Sequence, residues 1–233
     1  MNVLAVGAHP DDLEILCGGT LLKCVQRGDR VTMVTCANGD CGSARHSREE
    51  IAAIRDQEAR AGAAAIGAEY VCLGYSDLEI ATDFEARTRM ADVIRSVQPD
   101  LILLHAPNDY MMDHCDAYVL GEHASFDATI PNVVTDHPPV QTPAPIFVMD
   151  TIAGLDFDPT EYVDVTDVFE TKVKALECHE SQVGWIEHHD ATSPVRLMEV
   201  QCAFRGMQCG VRYAEAFRPQ FTWGRLAARR LLP

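Results

Sequence analysis

The first half of this sequence alternates short apolar runs with longer amphipathic stretches. Strands buried on both faces of a parallel sheet have this apolar character, and parallel neighbours need a helical crossover between them. The pattern predicts strands at residues 2–8, 31–36, 70–73 and 101–105. Between the strands it predicts helices at residues 18–27, 47–66 and 84–97, which end at Gly28, Gly67 and Pro99. We therefore expect a Rossmann-like, doubly wound α/β fold with a mostly parallel sheet.

The second half has a looser pattern. A helix is predicted at residues 117–128, a proline-rich surface loop at 131–145 and a fifth strand at 146–149, and helical spacing returns at 166–178 and 194–207. No repeat or linker divides the 233 residues, and this length suits one domain. We expect a single domain over residues 1–233, with the sheet core at about 1–150 and a C-terminal elaboration at about 151–233.

The charge and the N-terminus exclude several classes of partner. The formal net charge is -16, from 19 basic and 35 acidic side chains, so the protein repels polyanions such as nucleic acid or an anionic membrane surface. The apolar run at residues 1–8 is too short for a membrane span and lacks the preceding basic residues of a secretory signal. Nine cysteines without a Cys-x-x-Cys pair are expected to be reduced thiols. These features predict a cytoplasmic protein.

An acidic turn directly follows the first predicted strand. His9, Pro10, Asp11 and Asp12 stand where ligands of an open α/β sheet usually bind, at the carboxyl end of a strand. Two adjacent carboxylates repel phosphate, whereas they suit a divalent cation. The turn therefore predicts a metal site, with His9 and Asp12 as two ligands. The alternative interpretation is that the carboxylates only cap the following helix.

A second group of polar residues follows the fourth predicted strand. This strand ends near His105, and the loop behind it reaches His114, which can supply a third ligand at the same edge of the sheet. Two histidines and one aspartate leave a tetrahedral position open for water, as in catalytic rather than structural zinc sites. Zn²⁺ is thus the expected cofactor, although nitrogen and oxygen donors leave iron, cobalt and manganese open.

These residues resemble the PIG-L (LmbE-like) family of N-acetylglucosaminyl deacetylases. The family's Ala-His-Pro-Asp-Asp-x-Glu motif stands at residues 8–14, and Asp113-His114 resembles the end of its His-Pro-Asp-His motif. Further similar segments cover almost the whole chain: Gly-Gly-Thr at 18–20, Arg55 with Glu58, Asp77, Lys-x-x-x-x-His-x-Ser-Gln at 174–182, and Tyr-Ala-Glu-Ala-Phe at 213–217.

The resemblance implies roles for the site residues. His9, Asp12 and His114 would be the zinc ligands, and Asp11 would be the general base that activates the attacking water. Arg55 and Asp77 would hold hydroxyl groups of the sugar, and we assign Tyr110 to substrate binding as well. The alternative for Arg55 and Asp77 is an ordinary ion pair at the surface.

The chain departs from the family at Met111. The family has a histidine three residues before the ligand histidine, where it supports the oxyanion or donates a proton, and a thioether does neither. We expect His188 or His189 to supply this group from a polar loop, of the same or a neighbouring subunit. The alternatives are that both are solvent-exposed, or that another side chain has the role, namely His179, His105 or Tyr110.

The sequence thus predicts a zinc-dependent hydrolase that deacetylates a small amino-sugar conjugate, of the N-acetylglucosamine type. Because of Met111, a catalytically weakened or inactive metal- and glycan-binding protein on the same fold is the alternative. A nucleotide-binding domain is a third hypothesis, which the acidic turn disfavours. Met111 and Met112 also suggest a substrate with a hydrophobic portion, unless they are loop packing. The apolar tail at residues 221–232, expected to be exposed, would suit a subunit contact in a homo-oligomer.

Overall fold

A seven-stranded sheet forms the centre of the protein in a computed structural model. The structure describes residues 1–225 and 230–233, and the side chains of His188 and Asp190 lie outside that description. The strands of the sheet are β1 (Asn2–Gly7), β2 (Arg30–Ala37), β3 (Glu69–Tyr75), β4 (Leu101–Leu104), β5 (Ile146–Met149), β6 (Glu161–Asp164) and β7 (Ala214–Pro219).

Eight α-helices lie in the described part of the chain. They are α1 (Asp12–Leu16), α2 (Gly18–Gln26), α3 (Arg48–Ile66), α4 (Phe84–Val97), α5 (Met112–Asp127), α6 (Phe169–Glu177), α7 (Glu180–Asp190) and α8 (Pro194–Cys209), with a short 3-10 turn at Ile152–Gly154. The sequence signals for α3 act as predicted. Ser47 and Glu50 form a reciprocal capping box at its start, and Gly67 ends it with a φ of 87°.

The strand order is β3-β2-β1-β4-β5-β7-β6, and the first five of these strands are parallel. Successive residues of β1 point to opposite faces. Val3 and Ala5 join a core with α2, α3, α6 and α8, whereas Leu4 and Val6 join a second core with α4 and α5. Helices therefore cover both faces of the sheet, which confirms the predicted doubly wound α/β fold of one domain.

Two strands at one edge of the sheet were not predicted. β7 runs antiparallel to β5, and β6 runs antiparallel to β7. Both strands are short and mix charged with apolar residues, since Glu161, Asp164 and Glu215 stand within them. Such a pattern lacks the continuous apolar run of the parallel strands. The C-terminal part of the chain therefore extends the same sheet.

Three further predictions differ from the structure. The fifth helix begins at Met112 rather than 117, so His114 lies in its first turn and not in a loop. The polar loop predicted around residues 185–190 is helix α7. The predicted apolar tail at 221–232 includes residues 226–229, outside the described residues, while Leu231 and Leu232 are buried in the core rather than exposed. Among the described helices, none is long and apolar enough to cross a membrane.

Candidate active site

The switch point of the sheet lies between β1 and β4. From β1 the chain continues to β2 and β3 on one side, and then crosses to β4 and β5 on the other side. Ligands of open α/β sheets bind at such points, outside the carboxyl ends of the strands. A cavity of about 460 Å³ lies there. Its lining includes His9, Asp11, Asp12, Arg55, Asp77, Tyr110, His114 and His189. The structure thus brings together every site residue predicted from the sequence except His188, whose side chain lies outside the description.

The turn after β1 has an unusual backbone. Asp11 has a φ of 111° at the start of α1, a conformation that L-residues rarely adopt. The turn is held by Asp12, because its Oδ2 atom accepts hydrogen bonds from the backbone N–H groups of Ala8 at 3.0 Å and His9 at 2.7 Å. The other oxygen, Oδ1, is directed towards His114.

Three side chains, from the turn and from the start of α5, bring metal-binding atoms together. Asp12 Oδ1 lies 3.4 Å from His114 Nε2, and Asp12 Oδ2 lies 3.7 Å from His9 Nδ1. Two ligands of a tetrahedral zinc ion, each about 2.0–2.1 Å from the metal, are about 3.4 Å apart. One donor atom from each of the three residues lies within 4.8 Å of the others. The spacing and the chemistry of this donor set fit a divalent metal ion.

Both histidines are supported by a carboxylate on their other ring nitrogen. His9 Nε2 lies 2.8 Å from Asp113 Oδ2, and His114 Nδ1 lies 3.2 Å from Asp109 Oδ1. Metal-binding histidines are usually oriented in this way, with one nitrogen on a carboxylate and the other on the metal. His105 is fully buried behind them, stacked on the His114 ring with centroids 4.1 Å apart.

The carboxylates raise the pKa of both histidines. Burial alone would lower the pKa of His9, but its hydrogen bond to Asp113 and the nearby Asp12 carboxylate raise it to about 9. Burial is likewise outweighed at His114, where Asp12 and Asp109 raise the pKa to about 10. The site is therefore strongly electronegative, and it attracts protons when no other cation neutralises its carboxylates.

Asp11 lies beside the donor set and is paired with Arg55. The Arg55 Nη2 atom lies 3.3 Å from Asp11 Oδ2 and donates a 2.6 Å hydrogen bond to the carbonyl of Pro10. Burial raises the pKa of Asp11 to about 6, with Arg55 acting in the opposite direction. Gly39 permits this arrangement, because a Cβ atom there would overlap the Arg55 side chain. Arg55 thus holds the turn after β1 in position.

Asp77 organises the neighbouring loop. Its two carboxylate oxygens accept hydrogen bonds from the backbone N–H groups of Gly39, at 2.9 Å, and Cys41, at 3.0 Å. The carboxylate also lies 4.0 Å from both His9 Nε2 and Arg55 Nη1. Arg55 and Asp77 are therefore buried parts of the site and not members of an exposed ion pair, which excludes the surface-pair interpretation.

Met111 lines the cavity at the start of α5. The side chains that could replace the family histidine at this position differ in where they lie. His179 is fully buried, with Nε2 3.2 Å from Glu14, and His105 lies behind His114, so neither lines the cavity. Tyr110 lines the cavity and is 72% exposed. His189 is exposed, lines the cavity and lies against Trp185, with ring centroids 5.2 Å apart.

Two other groups of possible ligands occur among the described residues. His105, Asp109 and His114 form one, and Asp40, Cys41 and Asp77 form the other. His105 and Asp109 do not line the cavity, and the carboxylates of Asp40 and Asp77 are occupied by Arg48 and by backbone N–H groups. The group of His9, Asp12 and His114 is thus the one whose donors face the cavity.

Sequence reasoning missed the supporting carboxylates and one wall of the cavity. Asp109 and Asp113 both stand within five residues before His114, and that proximity was the available signal for their contacts with the two histidines. Trp185 and Ile186 were not placed in the cavity, because residues 185–190 were predicted to be a loop. Gln182 ends the family-like segment at 174–182, but no role was assigned to it.

Comparisons with known proteins identify relatives of this chain. The chain is 29% identical to the diacetylchitobiose deacetylase of Thermococcus kodakarensis over 238 residues, covering 93% of this chain and 82% of that protein. It is 27% identical to the 4-oxalmesaconate hydratase of Pseudomonas putida, covering 81% and 76% respectively. The structure of the N,N'-diacetylchitobiose deacetylase from Pyrococcus horikoshii superposes with a TM-score of 0.82 at 28% identity, covering 94% of this chain and 83% of that one.

The family resemblance is confirmed by the profile of PIG-L, described as GlcNAc-PI de-N-acetylase, which matches residues 4–125. The match begins in β1 and runs through α5, so it includes all three converging donors and Asp11. Since it covers more than half of the 233 residues, this chain belongs to the PIG-L family.

Proposed function

We propose that this protein is a zinc-dependent hydrolase that removes the acetyl group from the nitrogen of a small amino-sugar conjugate. The observation that carries the proposal is the convergence of His9, Asp12 and His114 in one cavity, each histidine supported by a carboxylate, with Asp11 beside them. Relatives of this chain are named as diacetylchitobiose deacetylases, and this supports an N-acetylated sugar as the substrate class.

In this proposal His9, Asp12 and His114 hold the ion. When bound, zinc would polarise the amide carbonyl and lower the pKa of a water molecule. Asp11 accepts a proton from the attacking water as the water oxygen adds to the carbonyl carbon. The C–N bond then breaks, and the leaving nitrogen receives a proton, so that acetate and a free amine are produced. Arg55 holds Asp11 in place through its 3.3 Å contact and the turn through Pro10.

Residues at the edge of the cavity have the remaining roles. We assign the proton donor to His189, which lines the cavity on α7, in place of the histidine that Met111 replaces. Tyr110, Arg55 and Asp77 contact the sugar hydroxyls in this proposal, although Arg55 and Asp77 also organise the turn. The side chain of His188 lies outside the description, so its role is tested directly in a separate variant.

The His189 assignment has a kinetic test. We expect His189→Ala to lower kcat by about a hundredfold or more, because proton donation contributes about 10²–10⁴ in rate. Glu187→Ala is the matched control, since Glu187 is exposed on the same helix and does not line the cavity. His188→Ala is measured in parallel. Unchanged kcat in both histidine variants would remove the α7 histidines from the mechanism.

A hydratase is the second candidate, because one relative carries that name. A substrate such as oxalmesaconate is a polycarboxylate and needs cationic partners. The cavity lining contains one arginine, Arg55, which is already paired with Asp11, whereas Asp11, Asp12 and Asp77 are all acidic. The charge of the cavity therefore favours a neutral amide substrate over a polycarboxylate.

The substrate class is tested with a panel of N-acetylglucosamine conjugates with inositol, malate or a second sugar. Acetate release is measured for native protein, chelated protein and protein reloaded with zinc, with 4-oxalmesaconate hydration measured in the same preparations. We expect release that is lost on chelation and restored by zinc. Hydration without acetate release would replace the proposed function, and bound metal with neither activity would favour a non-catalytic binding protein.

A further inference from the structure

Helix α7 presents one complete face to the cavity. Gln182, Trp185, Ile186 and His189 all line it, at the spacing of three and four residues that places side chains on the same side of a helix. The middle of this face is apolar, since Trp185 and Ile186 stand between the two polar residues. The face therefore presents its apolar residues directly to a bound substrate.

Other elements extend the apolar surface that α7 begins. Ile152 from the 3-10 turn, and Pro194 and Leu197 from the start of α8, line the same cavity. We call these three residues together with Trp185 and Ile186 the apolar wall. The floor of the cavity is polar in contrast, because it contains the donor set and Asp11. One cavity thus combines an ionic floor with a hydrocarbon wall.

The apolar wall is held in place at the start of α7. The Glu58 carboxylate accepts hydrogen bonds from the backbone N–H of Ser181, at 2.8 Å, and from its hydroxyl, at 2.6 Å. Gln182 Nε2 donates a 3.1 Å hydrogen bond to the carbonyl of Gly42, in the loop beside Arg55. These contacts fix α7 against α3 and against the loop that contains Gly42. The apolar wall is therefore already formed, at a fixed position relative to the polar floor of the cavity.

The composition of the wall decides what can bind there. A second sugar ring would place several hydroxyl groups against it, and burying a hydroxyl without a hydrogen-bond partner is unfavourable. A hydrocarbon group loses nothing at such a surface and gains by leaving water. The wall therefore fits an alkyl or aryl group that is attached to the amide-bearing part of the substrate.

We propose that the substrate of this enzyme carries a hydrocarbon group, which packs on the apolar wall while its amide lies over the converging donors. This inference rests on the proposed function for the position of the amide. The group is either the glycosidic substituent or an N-acyl chain longer than acetyl, and the chemistry of the wall is the same for both sources.

Two substrate series distinguish these sources. One arm contains methyl, butyl, hexyl and octyl glycosides of N-acetylglucosamine, and the other contains N-acetyl, N-butanoyl, N-hexanoyl and N-octanoyl glucosamine. We expect kcat/KM to rise along one arm by up to about fourfold per added methylene group, mainly through KM. The arm that responds identifies the source. Flat profiles in both arms would overturn the inference but leave an observed hydrolysis, and thus the proposed function, intact.

Substitutions in α8 attribute this dependence to the wall. Leu197→Asn places a polar side chain in the wall, whereas Val200→Asn makes the same change at a 50% exposed position of the same helix that does not line the cavity. We expect Leu197→Asn to reduce the slope of log kcat/KM against chain length to about half or less, and Val200→Asn to leave the slope unchanged. Equal slopes in both variants would contradict the assignment.

Binding without turnover gives an independent measurement. The chain has two tryptophans, and Trp223 is 97% exposed, so Trp223→Phe leaves Trp185 as the remaining fluorophore. We expect one of two compounds, octyl glucosaminide or N-octanoyl glucosamine, to shift the Trp185 emission to shorter wavelength at concentrations where methyl glucosaminide and N-acetylglucosamine have no effect. The shift requires neither catalysis nor metal, so it is measured on chelated protein. Its absence for both octyl-chain compounds at saturating concentration would overturn the wall as the binding surface, whatever the activity assays give.

Discussion

At the scale of single residues, the strained backbone of Asp11 indicates that this residue is present for function rather than for stability. A non-glycine residue with a φ of 111° is strained by about 1–3 kcal/mol, and such residues cluster at active sites. We expect Asp11→Gly to be more stable than Asp11→Ala by about 1–2 kcal/mol, because both lose the carboxylate but only glycine relieves the strain. Urea unfolding of the two variants measures this difference, and equal stabilities would show that the turn is not strained.

The carboxylates behind the histidines lead to a second residue-scale prediction. Asp113 lies 2.8 Å from His9, and we expect Asp113→Asn to weaken metal binding by about 10–100-fold, as loss of such a supporting carboxylate usually does. Competition with a chromophoric chelator measures the affinity. Asp116→Asn changes the same residue type on the same helix, outside the donor set, and serves as the control. Equal affinities for the two variants would contradict the supporting role of Asp113.

The sequence predicted most of the donor set because chemistry and position coincide there. His9 and Asp12 directly follow β1, and the rule that ligands bind at the carboxyl ends of strands applies to them without knowledge of side-chain contacts. The contacts of Arg55 with Pro10 and of Asp77 with Gly39 could not be predicted in this way. They join segments far apart in the chain, and only the folded geometry brings them together.

At the scale of secondary-structure elements, a buried ion pair connects the family-like segment at residues 213–217 to the helices that follow the turn after β1. Glu215 in β7 accepts hydrogen bonds from the backbone N–H groups of Gly19, at 2.8 Å, and Thr20, at 2.7 Å, at the start of α2. Lys172, fully buried in α6, pairs with the same carboxylate and also donates to the carbonyl of Ile15 at 2.8 Å. The pair therefore holds α1 and α2 in place directly after the turn that follows β1.

Glu215→Gln is expected to destabilise the protein by about 3–5 kcal/mol, because it leaves the buried Lys172 ammonium without a compensating charge. The control is Glu69→Gln, since Glu69 forms an exposed pair with Arg30, where we expect a change of about 0.5 kcal/mol or less. The free energy of unfolding in urea measures both. A small effect at Glu215 would contradict the view that this pair connects the helices to β7.

Elements were predicted well where one periodicity dominates and poorly where it does not. The parallel strands are continuous apolar runs, and α3 has both of its end signals, so these were recognised. One face of helix α7 lines the cavity rather than the core, so polar and apolar residues are mixed along the helix. For this reason the segment was predicted to be a loop. Helix α5 lacks a side chain that caps its first turn, since Met111 stands there, so its start was placed too late.

At the scale of the whole molecule, the crossover order determines where chemistry is possible. Pairing of β1 with both β2 and β4 creates the switch point, and the turn after β1 and the segment after β4 lie on its two sides. Membership of the PIG-L family is consistent with this placement. The alternation of strands and helices was enough to predict this much, because parallel crossovers have few allowed topologies.

The assembly of the molecule stays a prediction. Leu231 and Leu232 are buried in the core and are not available for a subunit contact, whereas Phe221 and Trp223 are 70% and 97% exposed. A subunit contact in a homo-oligomer would therefore use the surface around Phe221 and Trp223. Light scattering measures the mass in solution, and Trp223→Asp is expected to lower the mass if the contact is formed there. A monomeric mass for the unmodified chain would contradict the expectation.

The most direct test of the central claim is the rate of acetate release by zinc-loaded protein, compared between the unmodified chain and Asp11→Asn. The assay uses the most rapidly hydrolysed N-acetylglucosamine conjugate, and metal analysis first establishes one zinc ion per chain in both proteins. We expect Asp11→Asn to lose about 10²–10⁴-fold in kcat while it retains the metal. Equal rates in the two zinc-loaded proteins would contradict this expectation, because the carboxylate beside the donors would then have no part in the reaction.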